Sequence, residues 1–399
     1  MRDAPLTQLS AVKPAAAGSR RRPWVFGCGS RPRCGAPRSR PPARLRLAAS
    51  PDRNADGEPV VAHPVKAFIL EKYGADPVLT DVPDPHAGPG EVVIDVGAVS
   101  VNPVDGLLAK GTVRLVVPLN PPSRLGFDAA GTVREVGDGV TNVSVGDRVM
   151  ARADQAHMGA FAERLTVDAS VVAPTPDGLT DAEAASLPLA ALTAWQALVD
   201  RAGLSAGQKV LIHAGAGGVG TLAIQIAKHL GAEVATTASP RNAELVRSLG
   251  ADHVIDYHSQ DFTKVLSDYD VVLDGVGEGN VLRSLTVLRP GGIVVGLNTP
   301  PDAELARTVG ATGLKGLLVR ALGVRVQRRA KRLGVRYEYH LMHPDGAELH
   351  GIGDLVESGA LRPVVGRELP FDELPAALAA AHNGGGHGKT VLVRATATD

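Results

Sequence analysis

Lys209-Val210-Leu211-Ile212-His213-Ala214-Gly215-Ala216-Gly217-Gly218-Val219-Gly220 is the stretch whose reading decides the fold. It opens on an apolar run suited to a buried strand, passes through a glycine turn and continues in helical register. Val219, Leu222, Ala223, Ile226, Ala227 and Leu230 recur at i, i+3, i+4, i+7, i+8 and i+11, the spacing of one buried helical face, and Gly231 follows where a helix stop is expected. Strand, turn and helix together make a phosphate cradle. Glycines let the backbone approach a pyrophosphate closely, and the orphan N–H groups and positive dipole end of the helix attract it. A glycine turn also has purely structural uses. Here a strand precedes it, a helix opens on it, and a second short strand, Glu233 to Thr237, follows, which is the context a dinucleotide site requires.

The end of that second strand bears on which nucleotide is held. An NAD site usually places a carboxylate about 20 residues past the first glycine, to accept hydrogen bonds from the ribose hydroxyls. This chain reads Thr236-Thr237-Ala238-Ser239-Pro240-Arg241-Asn242 there, without an acid. Ser239 and Arg241 offer a hydroxyl and a guanidinium, which suit a 2′-phosphate dianion. NADP is therefore expected over NAD. The same residues also read as a turn in which Asn242 caps a helix over Ala243 to Leu249, and the two readings are compatible.

Around this stretch, 399 residues give room for about two domains. No run of 18 apolar residues is present, so no membrane span is expected. The formal net charge of zero conceals an asymmetry: residues 1–64 carry twelve basic against four acidic residues, a net of +8, and the remainder carries 30 against 38, a net of −8. The first 64 residues are rich in Arg, Pro, Ala and Ser and lack any period, so they read as a disordered extension. A dispensable leader or an over-long gene reading is the explanation adopted, with an organelle transit peptide and a nucleic-acid arm as alternatives. Cys28 and Cys34, the only cysteines, lie in it, and their spacing does not suit zinc.

From Val65 the texture changes. Val65 to Leu70, Pro77 to Val82, Gly90 to Val101, Gly131 to Val136 and Asp147 to Ala151 read as short strands, with Gly137-Asp138-Gly139 as a turn, in an all-β unit reaching about Val172. One helical segment runs from Thr180 to Val199. Beyond the cradle, strands at His253 to Asp256, Val271 to Leu273 and Ile293 to Leu297 alternate with helices at Asp261 to Leu266 and Asn280 to Leu288, and Gly291-Gly292 reads as the last tight turn. Continuous rather than alternating apolar strands imply a sheet covered on both faces, hence parallel and doubly wound. Val335 to Leu341 supplies a sixth strand, Ile352 to Glu357 a helix ending at Gly359, and Lys389 to Val393 a closing strand. Arg320 to Arg336 holds seven basic residues and no acid, and reads as an exposed helix face, with a binding role for phosphorylated partners or a membrane surface as the alternative.

With these residues placed, the chain from Val65 onward resembles the medium-chain dehydrogenase/reductase superfamily, in particular its zinc-independent quinone oxidoreductase branch of zeta-crystallin-like proteins. The resemblance rests on Val101-Asn102-Pro103-Val104-Asp105, Ala129-Ala130-Gly131-Thr132-Val133, Val145-Gly146-Asp147-Arg148-Val149, Leu189 to Leu198, the glycine cradle, Gly359-Ala360-Leu361-Arg362-Pro363-Val364 and Gly388-Lys389-Thr390-Val391-Leu392. It implies a GroES-like substrate domain over 65–189 completed by 343–399, and a Rossmann NADP-binding domain over 190–342. Zinc alcohol dehydrogenases of the superfamily bring a Cys and a Gly-His-Glu to the metal. The matching stretches here are Val101-Asn102-Pro103 and Gly126-Phe127-Asp128, and no cysteine follows Cys34, so a thiolate zinc site cannot be assembled and no metal is expected.

The function the resemblance implies is hydride transfer from NADPH to a quinone or an α,β-unsaturated carbonyl, with hydrogen bonds stabilising the resulting anion. Asn102 is implied to project toward nicotinamide and substrate and polarise a carbonyl; before Pro103 it also reads as turn chemistry, and Asp105 reads as a cap. For the cofactor the resemblance implies Thr193, Gly215, Gly217, Gly218, Val219, Gly220, Ser239 and Arg241, with Tyr257 near the ribose or adenine, Leu297 and Asn298 beside the nicotinamide, and Lys389 reaching for the 2′-phosphate. Related enoyl-thioester reductases use a tyrosine soon after the Asn-Pro motif, and Gly106 to Val113 contains none. An enoyl-thioester reductase is the alternative within the class. A non-catalytic NADPH-binding protein with RNA or protein partners is the alternative from another class, although nucleic acid is not expected. A homodimer is the family expectation, and the location is expected to be cytoplasmic, or organellar if residues 1–64 are a transit peptide.

Overall fold

A computed structural model of the chain describes residues 64–114, 117–308, 310–311, 313–381 and 386–395. The extension read over residues 1–64, with both cysteines, lies outside them except for Pro64.

The first body contains β1 (Val65–Leu70), β2 (Val78–Val82), β3 (Glu91–Val101), β4 (Ser123–Arg124), β5 (Asp128–Val136), β6 (Arg148–Arg152), β7 (Arg164–Asp168) and β8 (Val172–Pro174). It is not all-β, as expected, because α1 (Pro103–Ala109) opens directly after β3. The cause is local: Pro103 stands at the first helical position, and the Asp105 carboxylate accepts the Asn102 N–H at 2.8 Å. The expected helix from Thr180 to Val199 is divided into α2 (Asp181–Ala185), α3 (Pro188–Trp195) and a π-helical turn over Gln196–Arg201. Pro188 has no N–H to continue the helix before it, which accounts for the break.

The second body is the doubly wound sheet. Along the chain run β9 (Lys209–Ile212), α4 (Gly218–His229), β10 (Glu233–Ala238), α5 (Ala243–Ser248), β11 (His253–Asp256), α6 (Phe262–Val265), β12 (Tyr269–Asp274), α7 (Glu278–Ser284) and β13 (Leu288–Gly296). Then come α8 (Ala303–Thr308), α9 (Gly313–Leu333) and β14 (Arg336–Tyr339). The strand order is β11-β10-β9-β12-β13-β14 and every pair is parallel. Both faces are buried, as the continuous apolar strands require: Val210, Ile212 and Val234 pack with Leu222 and Ile226, while Leu211, Val272 and Val294 pack with Phe262 and Val326. The order reverses between β9 and β12, and open α/β sheets bind ligands beyond the carboxyl ends of strands at such a point.

Two expectations need correction here. The helix read as far as Leu288 stops at Ser284, and Gly291-Gly292 lies inside β13 rather than in a turn before it. The β12–β13 register jumps from Tyr269↔Leu288 to Val271↔Ile293, so Arg289 to Gly292 form an irregularity within the strand, with Gly291 at φ +81°.

The chain then returns to the first body through α10 (Gly346–Glu357), β15 (Val365–Pro370), α11 (Leu374–Ala381) and β16 (Lys389–Val393). Helix α10 begins well before Ile352 because Asp345 caps it, accepting the N–H groups of Ala347 and Glu348. Strands β15 and β16 join β3, β5, β6 and β8 in one sheet, with β7 also on β3, while β2-β1-β4 form a second. Strand register brings three distant residues together. Thr390 of β16 lies opposite Val101 of β3, and Ser100 of β3 lies opposite Asp128 of β5, so Lys389, Asn102 and Asp128 arrive at one end of the sheet.

Candidate active site

The glycine turn between β9 and α4 is held from behind by β10. Thr236 donates its hydroxyl to Ile212 O at 2.7 Å, Thr237 Oγ1 accepts the Ala214 N–H at 3.0 Å, and Thr237 O accepts the Gly215 N–H at 3.0 Å. Ala214 sits at φ +53°, a conformation that an alanine adopts only when its surroundings impose it. A Cβ on Gly215 would meet Thr236 Oγ1 at 1.9 Å, and one on Gly220 would meet Ala214 O at 2.4 Å. These two glycines let turn, strand and helix touch. Gly217 is the N-cap of α4, and as glycine it has no side chain to satisfy the first N–H groups of the helix. Those of Gly218, Val219 and Gly220 therefore form a donor set that fits a pyrophosphate. The helix is buried more fully than a single face predicts, since Thr221, Ile224 and Gln225 are buried as well.

Ser239, Arg241, Tyr257, Leu297 and Asn298, also read for the cofactor, lie along the same carboxyl edge. Ser239, buried, follows β10 and opens a 3-10 turn over Pro240–Asn242; Arg241, exposed, lies in that turn. Asn242 precedes α5 but makes no side-chain cap, contrary to its reading as one. Tyr257 follows β11, 55% exposed, with its ring centroid 4.3 Å from that of His258. Leu297 and Asn298 follow β13 and adjoin the loop after β12: Leu297 donates its N–H to Asp274 O at 2.8 Å, and a Cβ on Gly275 would lie 3.8 Å from Leu297 Cδ1. Thr193 lies on α3, which packs on α4, and donates its hydroxyl to Leu189 O at 2.6 Å.

Lys389 departs from its expected place beside a 2′-phosphate. Gly388 is clamped onto the cradle, its N–H donating to Ala216 O at 2.8 Å, and the Lys389 stem runs past Gly218, where a Cβ would meet Lys389 Cδ at 2.6 Å. Its ammonium is buried, donates to Asn102 Oδ1 and lies 3.5 Å from Asp128 Oδ2. The reason is electrostatic: Asp128 is wholly buried, and Lys389 is the cation nearest to it, with Arg152 opposite it on β6. Asp128 also accepts Ser100 Oγ at 2.8 Å, Asn102 Nδ2 at 2.9 Å and Leu189 N at 2.9 Å.

Asn102 is thus 2% exposed and bonded at both ends of its amide. Of its two N–H bonds, one is committed to Asp128, and the second has no partner among the described residues. Asp105 is a cap, as read, and more: burial pushes its carboxyl up to about 7, against the pull of the Asn102 N–H, and Asp128 adds to the rise. Burial pushes the Lys389 ammonium down, opposed by Asp128 and Asp105. Arg152, a half-buried cation, lies 4.4 Å from the centroid of the Phe127 ring. Asp128 and Arg152 were not read as site residues. Asp128 had a signal, since it stands in the stretch that matches the relatives' metal ligands.

Zinc does not fit this group. Its potential ligands are an amide and a carboxylate that already accepts three hydrogen bonds, and an ammonium 3.5 Å from that carboxylate stands where a cation would sit. Among the described residues, His343, Asp345 and Glu348 bring possible ligand atoms within 4.8 Å of one another, but Asp345 caps α10 there and the positive helix end disfavours a cation.

Comparison with known proteins places the chain in a family. Residues 88–177 match the family described as alcohol dehydrogenase GroES-like domain, and residues 249–392 match that described as zinc-binding dehydrogenase. NAD(P)H oxidoreductase RTN4IP1, mitochondrial, from Mus musculus is 37% identical over 82% of this chain and 88% of its own length. NADPH-dependent alkenal/one oxidoreductase, chloroplastic, from Arabidopsis thaliana is 36% identical over 68% and 72%. The solved quinone oxidoreductase from Coxiella burnetii superposes with a TM-score of 0.72 at 34% identity, covering 83% of this chain and 99% of that one.

Proposed function

The chain belongs to the medium-chain dehydrogenase/reductase superfamily, in its zinc-independent quinone oxidoreductase branch, and from that premise we propose an NADPH-dependent reductase of quinones or α,β-unsaturated carbonyls. It is an oxidoreductase that uses a nicotinamide cofactor. The observation that carries the finer reading is Lys389: its ammonium stands against Asn102 and Asp128, on the two stretches that match the metal ligands of zinc-dependent members, and so supplies positive charge there.

When bound, the reduced nicotinamide supplies the hydride. The residues of the chain do the rest. The first N–H groups of α4 hold the pyrophosphate, Ser239 and Arg241 take the 2′-phosphate, Tyr257 borders the ribose or adenine, and Leu297 and Asn298 flank the nicotinamide. Asn102 donates its remaining N–H to the substrate oxygen. Lys389, bonded to the carbonyl of the same amide, polarises it and favours the negative charge that develops on enolate or hydroquinone oxygen. Burial of this group keeps water from screening the interaction.

NADPH oxidation against 9,10-phenanthrenequinone, a simple enone and a crotonyl thioester tests the reading. We expect turnover on the first two. Turnover confined to the thioester would move the chain to the enoyl-thioester reductases, and tight NADPH binding without turnover on any acceptor would favour a binding protein. We further propose a homodimer and a cytoplasmic folded body; import into an organelle is the alternative suggested by the arginine-rich residues 1–64 and by the mitochondrial relative.

A further inference from the structure

Helix α9 buries Gly316, Gly323, Val326 and Ala330, half-buries Val319, Gln327 and Leu333, and presents another face to solvent. On that surface Leu317, Leu318 and Leu322 are 64%, 58% and 63% exposed, followed toward the carboxyl end by Arg325, Arg328, Arg329, Lys331 and Arg332. Leu317, Ala321, Val324 and Arg328 fall at i, i+4, i+7 and i+11, and Leu318, Leu322, Arg325 and Arg329 repeat that spacing. Each stripe therefore begins apolar and ends cationic about 15 Å further along the axis. Arg325 meets Glu278 at 3.8 Å, but among the described residues no carboxylate is within ion-pair distance of Arg320, Arg328, Arg329, Lys331 or Arg332. Arg283 of α7 faces them across a cleft of about 710 Å³ that Arg325, Arg328, Arg329 and Arg332 also line.

We propose that this helix docks on the surface of an anionic phospholipid bilayer, its leucines entering the acyl boundary and its arginines holding lipid phosphates. The charge pattern selects this occupant. Residues 1–64 of the same chain carry a net +8 and are repelled. A two-fold contact through this helix with a second copy adds a second set of the same cations, and α9 has no acid of its own to neutralise them. Nucleic acid satisfies the arginines but leaves three leucines in water. An anionic bilayer accepts both ends of each stripe, and each cation near such a surface strengthens binding roughly fivefold. The proposal is independent of the substrate.

Sedimentation of the full chain with vesicles tests it, using phosphatidylcholine alone and phosphatidylcholine with about one-third phosphatidylserine. Retention on the anionic vesicles is expected to be at least tenfold higher, and to fall when salt is raised from about 0.1 M to about 1 M, which shortens the screening length from roughly 10 Å to 3 Å. R328E/R329E/R332E should lose roughly a hundredfold, by the per-cation factor above, and L317S/L318S/L322S at least tenfold. All six positions are exposed, so melting temperature and NADPH affinity should stay at wild-type values. Retention on neither vesicle, or equally on both, overturns the proposal. So does full retention by the folded arginine variant, which would assign the binding to residues 1–64.

Discussion

The ammonium of Lys389 donates to the side-chain carbonyl of Asn102, 287 positions earlier in the chain, and both abut the buried carboxylate of Asp128. Adjacent strands β16, β3 and β5 deliver the three residues, so the site is assembled by sheet register.

Lys389→Met leaves the Asp128 charge buried without its cation. Removing one partner of such a pair costs about 3–5 kcal/mol of folding free energy. Adding Asp128→Asn removes the stranded charge and should recover most of that loss. Urea unfolding of the single and double variants measures both, and a double variant no more stable than Lys389→Met contradicts the pairing.

Arg241→Ala should weaken NADPH roughly ten- to a hundredfold, the equivalent of about 1.5–3 kcal/mol for one charge-assisted contact, and leave NADH nearly unchanged. Titration of both coenzymes decides the matter. Equal losses would remove Arg241 from the 2′-phosphate site.

Two glycines should respond in opposite directions. Gly215→Ala drives a Cβ to 1.9 Å from Thr236 Oγ1 and should cost about 1–3 kcal/mol of stability together with coenzyme affinity. Gly351→Ala, exposed in α10 with nothing within 4 Å of the new Cβ, should gain about 0.5–1 kcal/mol. Thermal melts of both variants are the check, and a stable, NADPH-binding Gly215→Ala would refute the close packing of the turn.

His213 and His157 should shape stability in different pH windows. His213 is buried, with its ring nitrogens 3.2 Å from Thr237 Oγ1 and 3.0 Å from Ser284 Oγ, and burial lowers its folded pKa to about 4. The unfolded chain takes up the proton first, so stability is intact above about 6.5 and declines as pH falls toward 4, by at most about 1.4 kcal/mol per pH unit. The Asp154 hydrogen bond raises His157 to about 9, with Glu91 assisting. Its contribution is therefore full below about 6.5 and is lost as pH rises through 9. Denaturant unfolding from pH 4 to 10 should show each limb flattened in His213→Gln and His157→Gln respectively; an unchanged limb in either variant contradicts its assignment.

The parallel sheet was legible in the sequence because its signals are local. An apolar run, a glycine turn and a 3.6-residue period occupy consecutive positions, and β9, α4 and β10 fall within two residues of their expected bounds. Elements set by one to three capping residues were missed or shortened: α1 rests on Asn102, Pro103 and Asp105, and the first turns of α10 on Asp345. Ser239, Tyr257 and Leu297, read for the cofactor, each follow a strand directly, which is a local signal. The Lys389–Asn102–Asp128 group was not legible, since nothing in the spacing of three distant strands tells which register joins them.

Metal-free hydride transfer from NADPH is the central claim. The most direct measurement is the initial rate of NADPH oxidation with 9,10-phenanthrenequinone by protein dialysed against a chelator, with zinc determined on the same sample. We predict full turnover at far less than one zinc per chain. Turnover that is lost on chelation and restored by adding zinc would contradict it.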